Sequence, residues 1–212
     1  MTIAVPSSLG LAGEEVRGVL ALARAAAPGI RFEVRPEQIE LHTTAPHSRE
    51  TRIACGVALL NLRLALQCQG IRPLVTLLPG QSAADAAAAV RLGGYQEPDP
   101  DALALLHSLR THRRTWTTFP KPAWWRGLLS RASEVERAWL HVRNGTDLVL
   151  CTFSQGAAAE IRAGQALQRV VLTAATAGIS VALEPVSLSA LRVELRQHLG
   201  DTLVPQMVLR LG

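Results

Sequence analysis

The sequence predicts a mixed helix and strand fold assembled from two related halves, and three observations carry that prediction. Two long Ala/Leu-rich segments, Thr51 to Gln69 and Ala157 to Ala177, each end at a glycine and lead into a short apolar run closed by Pro79 or Pro185. Apolar and polar residues alternate on both sides of Arg35-Pro36-Glu37, the pattern of a hairpin. At a constant offset of 108, six of the 17 positions from 55 to 71 are identical to their counterparts: Gly56, Ala58, Leu59, Leu64, Gly70 and Ile71. Chance in such Ala/Leu-rich segments gives about two. A duplicated unit related by a pseudo-twofold axis is the expected architecture.

In chain order, Glu14 to Ala27 reads as a helix, with apolar residues at Val16, Val19, Leu20, Leu22 and Ala23 and Pro28-Gly29 as its stop. Ile30 to Val34 and Gln38 to His42 are the hairpin strands. The helix from Thr51 is apolar almost all round, which predicts a buried, central position. Leu74 to Leu78 is a strand. Ser82 is the expected cap of an Ala-rich helix ended by Gly93-Gly94. Pro98-Asp99-Pro100-Asp101 divides the chain into halves 1–97 and 98–212, expected to interlock as one compact unit, and starts a helix from Ala102 to Thr111. In the second half Asp147 to Thr152 is a strand, Ala157 to Ala177 the second long helix, Ser189 to Leu199 an amphipathic helix, and Gln206 to Leu211 a closing strand.

Composition removes several function classes. With 48% apolar and 18% charged residues, the chain has enough apolar surface to build a core. The longest charge-free apolar run, Val170 to Leu183, is too short to cross a bilayer, and Met1 to Pro6 lacks the pattern of a secretory signal, so a cytoplasmic protein is expected. Cys55, Cys68 and Cys151 form no CxxC pair and read as buried small residues. The six histidines give no metal-ligand spacing, so no metal is expected. No Ser/His/Asp pattern and no Gly-rich nucleotide loop is present. The net charge of +5 is concentrated: seven Arg and one Lys against Glu134 and Glu136 lie between Arg110 and Arg143. That stretch suits a phosphate or an anionic cofactor; binding of nucleic acid lacks a specific signal.

The long segments Ile53 to Leu66 and Arg162 to Ala174, together with Pro205-Gln206-Met207-Val208-Leu209-Arg210-Leu211-Gly212, resemble the nitroreductase-like FMN-binding flavoproteins. The nearest likeness is the actinobacterial Acg-type branch, with two tandem halves in one chain, of which this chain is an abbreviated form. The resemblance implies an α+β fold, a mostly antiparallel sheet with two long central helices, and FMN where halves or subunits meet. It further implies hydride transfer from NAD(P)H to a small-molecule electron acceptor, in a monomer or a homodimer. Arg113-Arg114-Thr115 matches the family's phosphate grip, with Thr117 where a third arginine would stand. Glu184-Pro185 occupies the place of a turn that faces the flavin, where only the Glu184 amide has a hydrogen to donate. The family's polar segment between the first helix and first strand is absent.

Beside the resemblance stand plainer readings. Arg113 and Arg114 also suit the C-terminal end of a helix dipole. Arg210 reads either as an anion ligand or as the polar face of a strand. Gln165, Arg169, Thr173 and Thr176 make a polar stripe that lines a cofactor cleft or faces water. The tryptophans Trp116, Trp124, Trp125 and Trp139 serve as a lid or as packing anchors. No residue is assigned a catalytic role. Two functions follow: an FMN-dependent oxidoreductase, or a flavin-free relative that binds a ligand or a partner.

Overall fold

The computed structural model describes residues 6–25, 27, 29–45, 48–80, 85–111, 124–199 and 202–212, the side chains of 196–199 aside. It separates into two compact units, Met1–Arg110 and Thr111–Gly212. The helix that follows Pro98-Asp99 therefore belongs to the first unit, where the sequence places it in the second.

Unit 1 runs α1 (Gly13–Arg24), β1 (Ile30–Val34), β2 (Gln38–Thr43), α2 (Arg49–Cys68), β3 (Ile71–Leu77), β4 (Ala88–Tyr95) and α3 (Pro100–Thr111). Its four strands form an antiparallel sheet in the order β1-β2-β4-β3. Ser48 caps α2 by accepting from the Thr51 amide, and Gly70 ends it at φ +75°, a left-handed turn that glycine adopts without a Cβ penalty. Leu59, Leu60, Leu62, Leu64 and Leu66 are all buried, as an all-round apolar helix requires.

The Ala-rich segment from Ser82 to Gly93 is corrected by the structure: its described part is the strand β4, not a helix. Ala88, Ala89 and Val90 are buried between two partners, β2 and β3, and ladder pairing on both sides outweighs the helix propensity of alanine. Gly93 marks the close approach: a Cβ there would come within 2.8 Å of the Arg72 carbonyl oxygen and 2.6 Å of Leu74 Cγ.

Unit 2 runs α4 (Trp125–Val135), β5 (Ala138–Asn144), β6 (Asp147–Thr152), α5 (Ala157–Thr176), β7 (Val181–Glu184), α6 (Leu188–Leu199) and β8 (Val204–Leu211). Its sheet order is β5-β6-β8-β7, again antiparallel throughout. Leaving α3 and α6 aside, both units follow the order helix, two strands, helix, two strands, with the same strand arrangement. The offset of 108 found in the long helices also relates Ile30 to Ala138 and Arg49 to Ala157, the first residues of equivalent elements. The fold is thus α+β with two long helices, one in each unit, and two four-stranded antiparallel sheets.

Each sheet has an inner face toward its long helix and an outer face. In unit 2 the assignment is direct: Val149, Cys151 and Val208 cluster with Leu191 and Leu195 of α6. By strand alternation Leu148, Leu150 and Leu209, all fully buried, point the other way, toward α4 and α5. In unit 1 the corresponding outer positions are Glu40 for Val149 and His42 for Cys151.

Candidate functional site

Three places in the fold gather chemistry. The first is the outer face of the unit 1 sheet. Alternation puts Arg31, Glu33 and Arg35 beside Gln38, Glu40 and His42, and the antiparallel register sets Glu33 directly across from Glu40. Two facing carboxylates repel, so the pair needs cations between them. Arg35 supplies them, with its terminal nitrogen 3.0 Å from Glu33 Oε1 and its Nε 3.0 Å from Glu40 Oε1. Gln38 Nε2 donates to Glu40 Oε1, and Gln38 Oε1 in turn accepts from Arg91 Nε at 2.9 Å. His42 Nε2 lies 3.2 Å from Glu40 Oε2 and 3.7 Å from Glu33 Oε2. Glu40 is 1% exposed and His42 7%. The guanidinium groups of Arg31 and then Arg35 hold the Glu33 carboxyl below its ordinary range.

Glu33, Glu40 and His42 present one ligand atom each within 4.8 Å of one another, a grouping suited to a metal ion. Charge decides against that use. Arg31 and Arg35 already balance two carboxylates, and a divalent ion would stand beside Arg35, so the network reads as a closed set of ion pairs. The sequence reading missed this network, although its signal was present in the alternation of the hairpin it identified.

The second place holds the residues nominated for a cofactor, and unit 2 divides them. Arg210 and Glu184 meet on the outer face: Arg210 contacts Glu184 Oε1 at 3.2 Å and donates from Nε to Asp147 Oδ1 at 3.0 Å. That contact with Arg210, aided by the Asn144 side chain, keeps the Asp147 carboxyl below its usual value. Arg169 and Gln165 instead sit on α5, across the sheet. Arg169 Nε donates to Glu136 Oε1 at 2.8 Å, and both residues of that pair are largely buried. Gln165 is buried, whereas Thr173 and Thr176 turn toward the surface. Arg113, Arg114 and Thr115, with Trp116 and Thr117, lie outside the described residues. Of the other tryptophans, Trp125 is buried in α4, with Arg126 stacked 5.3 Å from its ring centre, whereas Trp124 and Trp139 are exposed.

The third place is a groove of about 350 Å³ within unit 1, between α1, α2 and α3. Gly18, Val19 and Leu22 of α1, Ala65 of α2 and Leu106 of α3 give it a largely apolar lining, to which Arg110 brings a cation, Glu15 a carboxylate and Gln69 an amide. Gly18 keeps it open: a Cβ at that position would meet nothing within 4 Å. No sequence motif marks the groove, because it arises from small residues on three helices distant in the chain.

Cys55 and Cys151 are buried as expected, and burial pushes each thiol up to about 12, which makes both unreactive at neutral pH. Among the described residues no helix is long and apolar enough to cross a membrane. No family model matches the chain, and no curated protein matches it.

Proposed function

We propose that this chain is a flavin-free binding protein, and that the groove between α1, α2 and α3 is where it takes a small ligand with an apolar body and an anionic group. The observation that carries the first part is the division of the nominated cofactor residues by the unit 2 sheet. Arg210 and Glu184 stand on one face and Arg169 and Gln165 on the helix against the other, so the two sets do not converge on one flavin within that unit. Each arginine is also held by a carboxylate of its own unit, and a cofactor phosphate would have to displace that carboxylate. The residues described do not fit FMN as a common ligand.

The groove supplies the positive side of the reading. The walls are largely apolar, and of the two charged residues that line them Glu15 accepts from the Ala12 amide at 2.8 Å, so Arg110 offers the ionic contact to a ligand that buries hydrocarbon. The test has two arms. Purified protein is expected to be colourless and to leave the spectrum of added FMN unchanged; a retained flavin band reinstates the oxidoreductase reading. In the second arm, anilinonaphthalene sulfonate, an apolar dye with one anionic group, is expected to bind one to one. Gly18→Leu, which fills the groove, and Arg110→Ala are each expected to weaken it about tenfold, or about 1.4 kcal/mol. Equal affinity in all three proteins removes the groove from the function.

A further inference from the structure

Each sheet ends in an edge strand that follows its long helix, β3 in unit 1 and β7 in unit 2. An edge strand presents amides and carbonyls on its far side, where a further strand can pair with them. Antiparallel pairing fixes which ones. In β3 the Leu78 amide donates to the Ala87 carbonyl at 3.0 Å, so Leu74 and Thr76 also turn their backbone groups to β4, and Pro73, Val75 and Leu77 turn theirs to the edge. The first of these edge positions is closed, because proline has no amide hydrogen and a bulge between Ile71 and Pro73 breaks the register there. In β7 the Gly212 amide donates to the Ser180 carbonyl at 3.0 Å, so Ala182 and Glu184 turn to β8, and Val181 and Leu183 present their groups to the edge. Val181 stands where unit 1 has Pro73, at the offset of 108, and it keeps its amide hydrogen. Among the described residues no strand lies beyond β7.

We propose that the open edge of β7 is the surface on which a second copy of this chain pairs, strand against strand, so that two four-stranded sheets of unit 2 become one antiparallel sheet. The edge complements itself. With a twofold axis at Ala182, Val181 lies opposite Leu183 of the second copy, and each such pair exchanges both of its backbone hydrogen bonds. The side chains agree with that register. Val181 is half-buried and Leu183 is 60% exposed, and both share the sheet face of Leu209 and Leu211, so they meet across the axis as apolar cross-strand pairs. Glu184 falls opposite Ser180, which keeps the carboxylates of the two copies apart, and Arg210 already balances Glu184 at 3.2 Å. This self-complementarity selects a second copy over an unrelated extended peptide. Because β7 is only four residues long, the pairing is reversible and yields to dilution. The surface belongs to unit 2 and is independent of the ligand groove in unit 1.

The experiment uses the full chain. In sedimentation velocity it is expected to pass from monomer to dimer as its concentration rises. Val181→Pro installs the residue of unit 1 without removing a bond to β8, and Leu183→Lys puts a cation against Val181 of the second copy; each is expected to weaken association at least tenfold. Hydrogen exchange read residue by residue by NMR needs no variant: the amides of Val181 and Leu183 are expected to be protected in concentrated solution and to exchange in dilute solution, while the Ala182 amide, bonded to β8, stays protected in both. Ala182→Cys is expected to link two copies in the presence of oxidised glutathione and Ser180→Cys is not, since only position 182 meets its own counterpart at disulfide distance; the parent chain gives the background from its own cysteines. A chain that stays monomeric overturns the proposal. So does a dimer that both edge variants leave intact, or one in which Val181 and Leu183 exchange freely. A monomer whose two amides are protected only by an added peptide of the sequence 179–185 assigns the edge to a foreign strand and overturns the choice of occupant.

Discussion

The outer faces of the two sheets share strand order and register yet solve opposite problems. In unit 1 Glu40 and His42 occupy the centre, and the sheet's own Arg35 turns in to balance the Glu40 carboxylate, which His42 also contacts. In unit 2 Val149 and Cys151 occupy the same positions, the equivalent Arg143 turns outward to Glu194, and a helix covers the apolar strip. At the edge of this difference one pair is kept: Gln38 with Arg91 in one sheet, Asp147 with Arg210 in the other, both at the same cross-strand position. The residue at the middle of the central strand thus decides whether a face is completed by charges of its own or by an added element. A duplicated fold can diverge on one face while its inner face and its long helix stay alike.

The sharpest way to break the comparison is to remove the buried carboxylate at the centre of unit 1. Glu40→Ala leaves Gln38 and His42 without their common acceptor and Arg35 with Glu33 alone, so unit 1 is expected to lose about 3 to 5 kcal/mol in chemical denaturation. A loss below about 1 kcal/mol would mean that the network is ornamental. The matching change in unit 2, Leu195→Ala, removes an anchor of α6 and is expected to cost about 2 to 4 kcal/mol there. Its signature differs: hydrogen exchange should rise first in α6, whereas Glu40→Ala should loosen β1 and β2.

The inner layers provide a third test. Asn61 of α2 and Arg169 of α5 are equivalent at the 108 offset, yet only Arg169 carries a charge, matched by Glu136 at the end of α4. Glu136→Gln is expected to destabilise unit 2 by about 1 to 3 kcal/mol, because the buried guanidinium keeps only a neutral partner. If that variant instead gains FMN binding, Arg169 is a cofactor residue masked by Glu136, and the flavin-free reading fails.

What the sequence disclosed follows the strength of its periodic signals. The long helices, the hairpin and β6 lie within a few residues of expectation, since each buries a face or a whole segment with clear spacing. Segment 88–93 failed because alanine favours a helix in isolation, and only its two flanking partners make it a strand. Neither α4 nor β5 was expected, for their Arg- and Trp-rich composition hides an apolar stripe of few residues, Trp125, Leu129 and Ala132 in α4. The cofactor set illustrates a different limit. Polar spacing on one helix and one strand was legible, but which side of a sheet each residue takes depends on pairing that spacing does not contain.

The smallest expected effect compares the two rims in acid. Glu33 and Asp147 both have carboxyl values lowered by neighbouring arginines, Arg31 first for Glu33 and Arg210 first for Asp147. A carboxyl that is more acidic when folded contributes stability above its unfolded value and loses it as pH falls through the folded one. Both contributions should therefore be intact at neutral pH and decline below about pH 4, where ordinary carboxyls begin to protonate. Because Arg210 is half exposed, water and salt screen its pair with Asp147, and the contribution should be small. Melting curves of the parent chain, Glu33→Gln and Asp147→Asn between pH 7 and pH 3 check this. Each variant should melt slightly lower than the parent at pH 7 and approach it in acid. A gap that stays constant with pH would show that the lost side chain acted through packing, and the two rims would then differ from their centres in being indifferent to charge.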